Sequence, residues 1–152
     1  MFYMTFEDLK IIFPDATPET WHVHSNGGGW VQNTAVVSDT AYVGPDAVVF
    51  ENARVYGRSR VSGSSQVSGY AEVSGYAWVF GDASVSGNAE VSGDALVSGD
   101  AQVFDDAKVF DESIVSGRSM VAGNAMVYGD ARVSGRSLVF GDTVVSGNKI
   151  ID

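Results

Sequence analysis

The chain has 152 residues and a formal net charge of −10, with nineteen acidic side chains against nine basic ones. Apolar residues make up 45%, enough to sustain a core and to exclude wholesale disorder. The charge disfavours nucleic-acid backbones and anionic membranes as partners. The absence of cysteine excludes a disulfide framework, thiolate zinc sites and a cysteine nucleophile.

The first residues, Met1 to Asp8, are acidic and lack a basic segment followed by an apolar run, so they make a poor signal peptide. No stretch approaches the ~18 consecutive apolar residues that a membrane-spanning helix needs. A soluble, cytoplasmic protein is expected.

Residues 1–29 stand apart as an N-terminal cap. Thr5-Phe6-Glu7-Asp8 has the form of a helix start, with Phe6, Leu9 and Phe13 on one side of a short helix that Pro14 ends. Thr20-Trp21-His22-Val23-His24 alternates like a strand. Ser25-Asn26-Gly27-Gly28-Gly29 is then a turn; with no Lys-Ser/Thr and no helix after it, it is not a phosphate loop. The cap is expected to cover the backbone edge of whatever follows, through Phe6, Leu9, Phe13 and Trp21.

From residue 30 to 152 the chain is one repeat. Every sixth residue from Val31 to Val145 is valine, and the next in the series is Ile151. Two places before each valine, from Ala35 to Thr143, stands Ala, Ser or Thr. The hexad reads Val-x-Gly-Asp/Asn-Ala-x, as in Val85-Ser86-Gly87-Asn88-Ala89-Glu90, with no insertion between 31 and 151.

Residues two apart on a strand share a side, so Ala89 and Val91 face in while Glu90 faces out. Gly and Asp/Asn then supply a corner. Three hexads close a triangular coil of eighteen residues, and stacked coils form parallel ladders. The result is an all-β, single-stranded parallel β-helix of six to seven coils, a rod roughly 32 Å long. A period of six builds no 3.6-residue helical face.

Residues 31–151 resemble the hexapeptide-repeat, left-handed β-helix superfamily, which includes many acyltransferases and some non-catalytic proteins. That resemblance implies the left hand, an assembly of parallel rods in a trimer, and a possible acyl-transfer role. In the acyltransferases a histidine base and a loop excursion shape the site; this chain has no interrupting loop. Its only histidines, His22 and His24, precede the repeat, which makes them weak catalytic candidates and leaves too few ligands for a metal. No metal or cofactor is expected.

Residues eighteen apart stack on one face. One outward column reads Tyr42, Arg60, Trp78, Leu96, Ile114, Arg132, Ile150; a second ends in Met120 and Leu138, a third in Met126 and Val144. Leu96, Ile114, Met120, Met126 and Leu138 are the expected contacts of a homotrimer. The chain also stops directly after the last repeat, and an uncovered strand edge favours self-association. Tyr76, Trp78 and Phe80, with Arg58 and Arg60 one coil earlier, form a candidate binding surface for a protein or a planar or anionic ligand. The carboxylates Asp94, Asp105, Asp106, Asp111, Glu112 and Asp130 suggest a different role, an acidic inhibitor that mimics nucleic acid, although Arg118, Arg132 and Arg136 break up that surface. A non-catalytic binding or assembly module is favoured over both the transferase and the inhibitor, because the unbroken repeat holds no transferase-like loop.

Overall fold

The computed structural model describes residues 3–152; Met1 and Phe2, part of the expected cap, lie outside the described residues. Among the described residues there is one helix, α1 (Phe6–Ile12), and twenty-two short strands. Strands β1 (Trp21–Val23) and β2 (Trp30–Gln32) have three residues each. Every later strand, from Val36–Val37 to Ile150–Ile151, has two. Two residues suffice because a hexad spends the rest of its length on a corner.

The strands stack into three sheets, one per side of a triangular rod. Pairing is parallel and in register at a spacing of eighteen, as in Trp78 against Leu96 and Val79 against Val97. Seven coils result. The interior is the valine ladder with its small residues: Val43, Val61, Val79, Val97, Val115 and Val133 are all fully buried, as are Ala77 and Ala95. Where serine replaces alanine the hydroxyl is satisfied locally. Ser59 donates to the Tyr56 carbonyl at 2.8 Å and Ser113 to that of Phe110 at 2.7 Å. A buried hydroxyl left unpaired would cost about 1–3 kcal/mol.

From Glu51 onward every corner holds a residue in the left-handed region. Gly63 sits at φ +63°, and a Cβ there would lie 2.6 Å from the Gly81 carbonyl oxygen of the next coil. Three corners use a carboxylate residue instead: Glu51, Asp105 and Asp111, at φ 58–59°. Each side chain accepts a hydrogen bond from a glycine N–H one coil on, Gly69 at 2.6 Å and Gly123 and Gly129 at 3.1 Å. The acidic corners thus bind coil to coil. Glu51 and Asp105 stand in one corner column, three coils apart, and Asp111 lies on a different edge of the rod.

The cap begins with a capping box. Thr5 Oγ1 accepts from the Asp8 N–H, and the Asp8 carboxylate accepts from the Thr5 N–H and hydroxyl. The Thr5 hydroxyl and then its N–H hold the Asp8 carboxyl below its ordinary value of 3.8.

The cap does more than cover an end. Strand β1 pairs antiparallel with β2 and closes one sheet edge. The loop at 26–29 closes a second: Val43 N–H donates to Asn26 O, and Gly29 N–H donates to Val43 O. The helix, however, lies against the outer wall of the rod. Leu9, Ala16 and Trp21 cluster with Val48, an outward position that is 1% exposed, while Phe13 and Phe50 rings meet at 4.8 Å. Trp30 Nε1 donates to the Met4 carbonyl at 2.8 Å. Valine at position 48, where polar residues are usual, is the sequence mark of that covered wall.

Candidate functional site

Three outward columns define the three sides of the rod. The first runs Trp30, Val48, Gln66, Ser84, Gln102, Met120, Leu138, and the cap covers its beginning. The second runs Val36, Arg54, Glu72, Glu90, Lys108, Met126, Val144. Its charges pair within the chain, Arg54 with Glu72 at 3.3 Å and Lys108 with Glu90 at 3.2 Å. The third runs Tyr42, Arg60, Trp78, Leu96, Ile114, Arg132, Ile150.

On the third side the register builds a grid. Its lower row is Thr40, Tyr42 and Gly44; its middle row is Arg58, Arg60 and Ser62; its upper row is Tyr76, Trp78 and Phe80. Parallel pairing places each residue over the one eighteen before it. The Arg60 guanidinium lies between two rings, 4.8 Å from the Tyr42 centroid and 5.3 Å from that of Trp78. Trp78 packs on Phe80 at 4.5 Å and donates from Nε1 to Ser62 Oγ at 2.9 Å. These contacts fix Trp78, yet it remains 38% exposed. Tyr76 is more open, at 61%.

Among the described residues neither Arg58 nor Arg60 forms a salt bridge. Two arginines without a salt bridge thus stand two residues apart in one row, the Arg60 guanidinium against aromatic faces, in a chain where acidic groups outnumber basic ones. A charged group that docks here meets fork-shaped donors and a cation–π surface of about 0.5–1 kcal/mol per exposed contact.

The structure brings together Arg60, Trp78 and Phe80 as the sequence suggests, with Arg58 and Tyr76 on the adjoining edge. Tyr42 and Ser62 belong to the same cluster. Tyr42 is present in the eighteen-residue column, and its part becomes visible once Arg60 is seen to need a ring on each side.

The histidines do not combine. His22 is exposed, with Nδ1 2.7 Å from Asn33 Oδ1. His24 is 5% exposed, lies beyond β1, and its Nε2 donates to the Ala41 carbonyl at 2.9 Å. Strand alternation would place them on one side, but the strand ends at Val23 and His24 turns into the closing loop. Among the described residues no group of three or more His, Asp or Glu side chains is arranged to hold a metal ion.

Leu96, Ile114, Met120, Met126 and Leu138, the residues expected at a trimer contact, fall on all three sides. Leu96 and Ile114 are on the third, Met120 and Leu138 on the first, and Met126 on the second. Asp94, Asp111, Glu112 and Asp130 line an open groove along the edge before the third side, whereas Asp105 and Asp106 lie on another edge.

A family model described as the YdcK beta solenoid repeat matches residues 53–69, close to one coil. The chain is a parallel β-solenoid. Among curated proteins and among solved structures, nothing matches it. The matched segment contains Arg58 and Arg60, but the match concerns the repeat and assigns no role to either. No helix among the described residues of the solenoid is long and apolar enough to cross a membrane.

Proposed function

We propose that the solenoid is a non-catalytic binding and assembly module, whose rigid third side presents an arginine–aromatic surface to a partner. One observation carries this reading: Arg60 held between Tyr42 and Trp78, with Arg58 beside it and neither paired to a carboxylate. Stacking of this kind immobilises side chains before a partner arrives, so less entropy is lost on docking. The residues involved are the types that dominate binding energy at protein interfaces.

An acyl-transfer reading finds less support. It needs an imidazole free to take a proton from the acceptor. His24 is buried and already donates to a carbonyl, and His22 is tied to Asn33.

The test is native mass spectrometry of the protein purified from its host, wild type against Trp78→Ala/Arg60→Ala. The expected result is loss of the bound partner or of the assembly, with the melting temperature moved by only a few degrees. An unchanged mass profile overturns the proposal. So does micromolar binding of an acyl-CoA that His22→Ala abolishes.

A further inference from the structure

Resting on the reading of the third side as a docking surface, we infer that its partner is a second copy of this chain, packed antiparallel about a two-fold axis between Trp78 and Leu96.

The argument is one of charge and register. A two-fold axis lying across the rods, in the plane between them, reverses the coil order but keeps each column opposite its own counterpart. With the axis between Trp78 and Leu96, the edge column reads as follows. Arg58 of one copy meets Glu112 of the other, Tyr76 offers its hydroxyl to Asp94, and Thr40 faces Asp130. In the central column Trp78 packs on Leu96, the stem of Arg60 on Ile114, and Arg132 lies over the Tyr42 ring. Every contact occurs twice. On the far edge of the face Asp46 meets Arg136. Asp82 meets Asp100 there, a like-charge contact softened because Arg118 of the same chain already holds Asp100 at 3.4 Å.

Other arrangements fail on the same columns. A shift of one coil toward the C-terminus sets Arg60 against Arg132 and Asp94 against itself. The opposite shift sets Asp82 against itself on the far edge and overlaps only five of the seven coils, against six here. A two-fold axis along the rods sets Arg60 on Arg60 and Arg132 on Arg132. Like charges in direct opposition cost several kcal/mol at an interface.

The other two sides do not serve. Antiparallel packing of the second side in the same phase places Glu72 against Glu90 and Arg54 against Lys108. The first side is occupied at its start by the cap helix over Val48. The third side is also large enough. A hexad spans at most roughly 20 Å and six coils roughly 29 Å. That is on the order of 600 Å² per copy, or about 1,200 Å² in all, the lower bound of specific interfaces.

Charge reversal tests the pairing. Arg58→Glu and Glu112→Arg are exposed corner substitutions, and each alone should weaken the dimer at least about tenfold in sedimentation equilibrium. The double variant should return it to within about threefold of wild type, because only antiparallel packing brings residue 58 to residue 112. The chain has no cysteine, which permits a second measurement. Arg58→Cys and Glu112→Cys stand three coils, roughly 14 Å, apart within one rod, too far for an internal disulfide. A mixture of the two single variants should therefore cross-link on oxidation, and Arg58→Cys alone should not. The inference is overturned by a monomer at high micromolar concentration, by a three-subunit assembly, by failure of the double reversal to restore the dimer, or by cross-linking of Arg58→Cys to itself. If any of these occurs while Trp78→Ala/Arg60→Ala still releases a different partner, the docking surface stands and only its occupant is wrong.

Discussion

At the corner residue the backbone, rather than any side-chain contact, decides what is allowed. Gly63 lies at φ +63° against the Gly81 backbone. A Cβ there would meet both a strained conformation and a backbone that cannot move without disturbing the ladder, so Gly63→Ala should destabilise by at least about 1–2 kcal/mol. Denaturant midpoints with unchanged m-value would check this. Asp105 occupies the same kind of corner at φ 59° but makes a cross-coil bond to Gly123 in return. Whether an individual corner has Gly or Asp is plain from the sequence. That the Asp carboxylate reaches the next coil requires the stacked structure, since its partner is eighteen residues away.

The coil is the unit in which the core is assembled. Each valine touches the valines of the coils before and after it, so stability accumulates from neighbour to neighbour. Val85 lies in the middle of the rod and is fully buried. Its truncation to alanine removes two methyl groups and leaves a cavity walled by coils on both sides, at roughly 2–3 kcal/mol. Val145, in the last described coil, has a neighbour on one side only. Val145→Ala should cost about half as much, and local opening there should precede global unfolding. Hydrogen exchange of the two variants would separate the effects; equal costs would mean that the end coil is held by more than its own chain. For the cap element, sequence correctly indicates a helix start at Thr5 and a stop near Pro14. It places the helix over the end of the rod, whereas the structure places it along the wall, because Val48 and Trp30 offer an outward apolar seat for Leu9 and Phe6.

For the whole molecule, two periods act at once: six residues repeat the core and eighteen repeat a face. Deletion of one hexad, residues 86–91, separates them. The core pattern is unchanged, so circular dichroism and the melting temperature should remain close to wild type. Every downstream outward column, however, rotates to another side of the rod. Leu96 and Ile114 leave the line of Arg60 and Trp78, and Glu112 leaves the line of Arg58. Self-association should then be lost from a folded rod, as measured by native mass spectrometry. Retention of the dimer would mean that the third side is not its contact.

The same two periods divide what the sequence by itself determined from what the tertiary structure decided. A strict six-residue repeat of valine with small residues and turn-formers leaves one way to bury the chain, so the solenoid, its triangular coil and its in-register columns follow from local spacing alone. Arg58, Arg60, Tyr76, Trp78 and Phe80 are legible as neighbours for that reason. Three things were decided only by the tertiary structure: the closing of Tyr42 and Trp78 on Arg60, the burial of His24 against the Ala41 carbonyl, and the wall that the cap covers. Each depends on side-chain direction and on contacts between segments far apart in sequence. A periodic pattern sets where a residue stands in the lattice, but not which neighbour its side chain turns to meet.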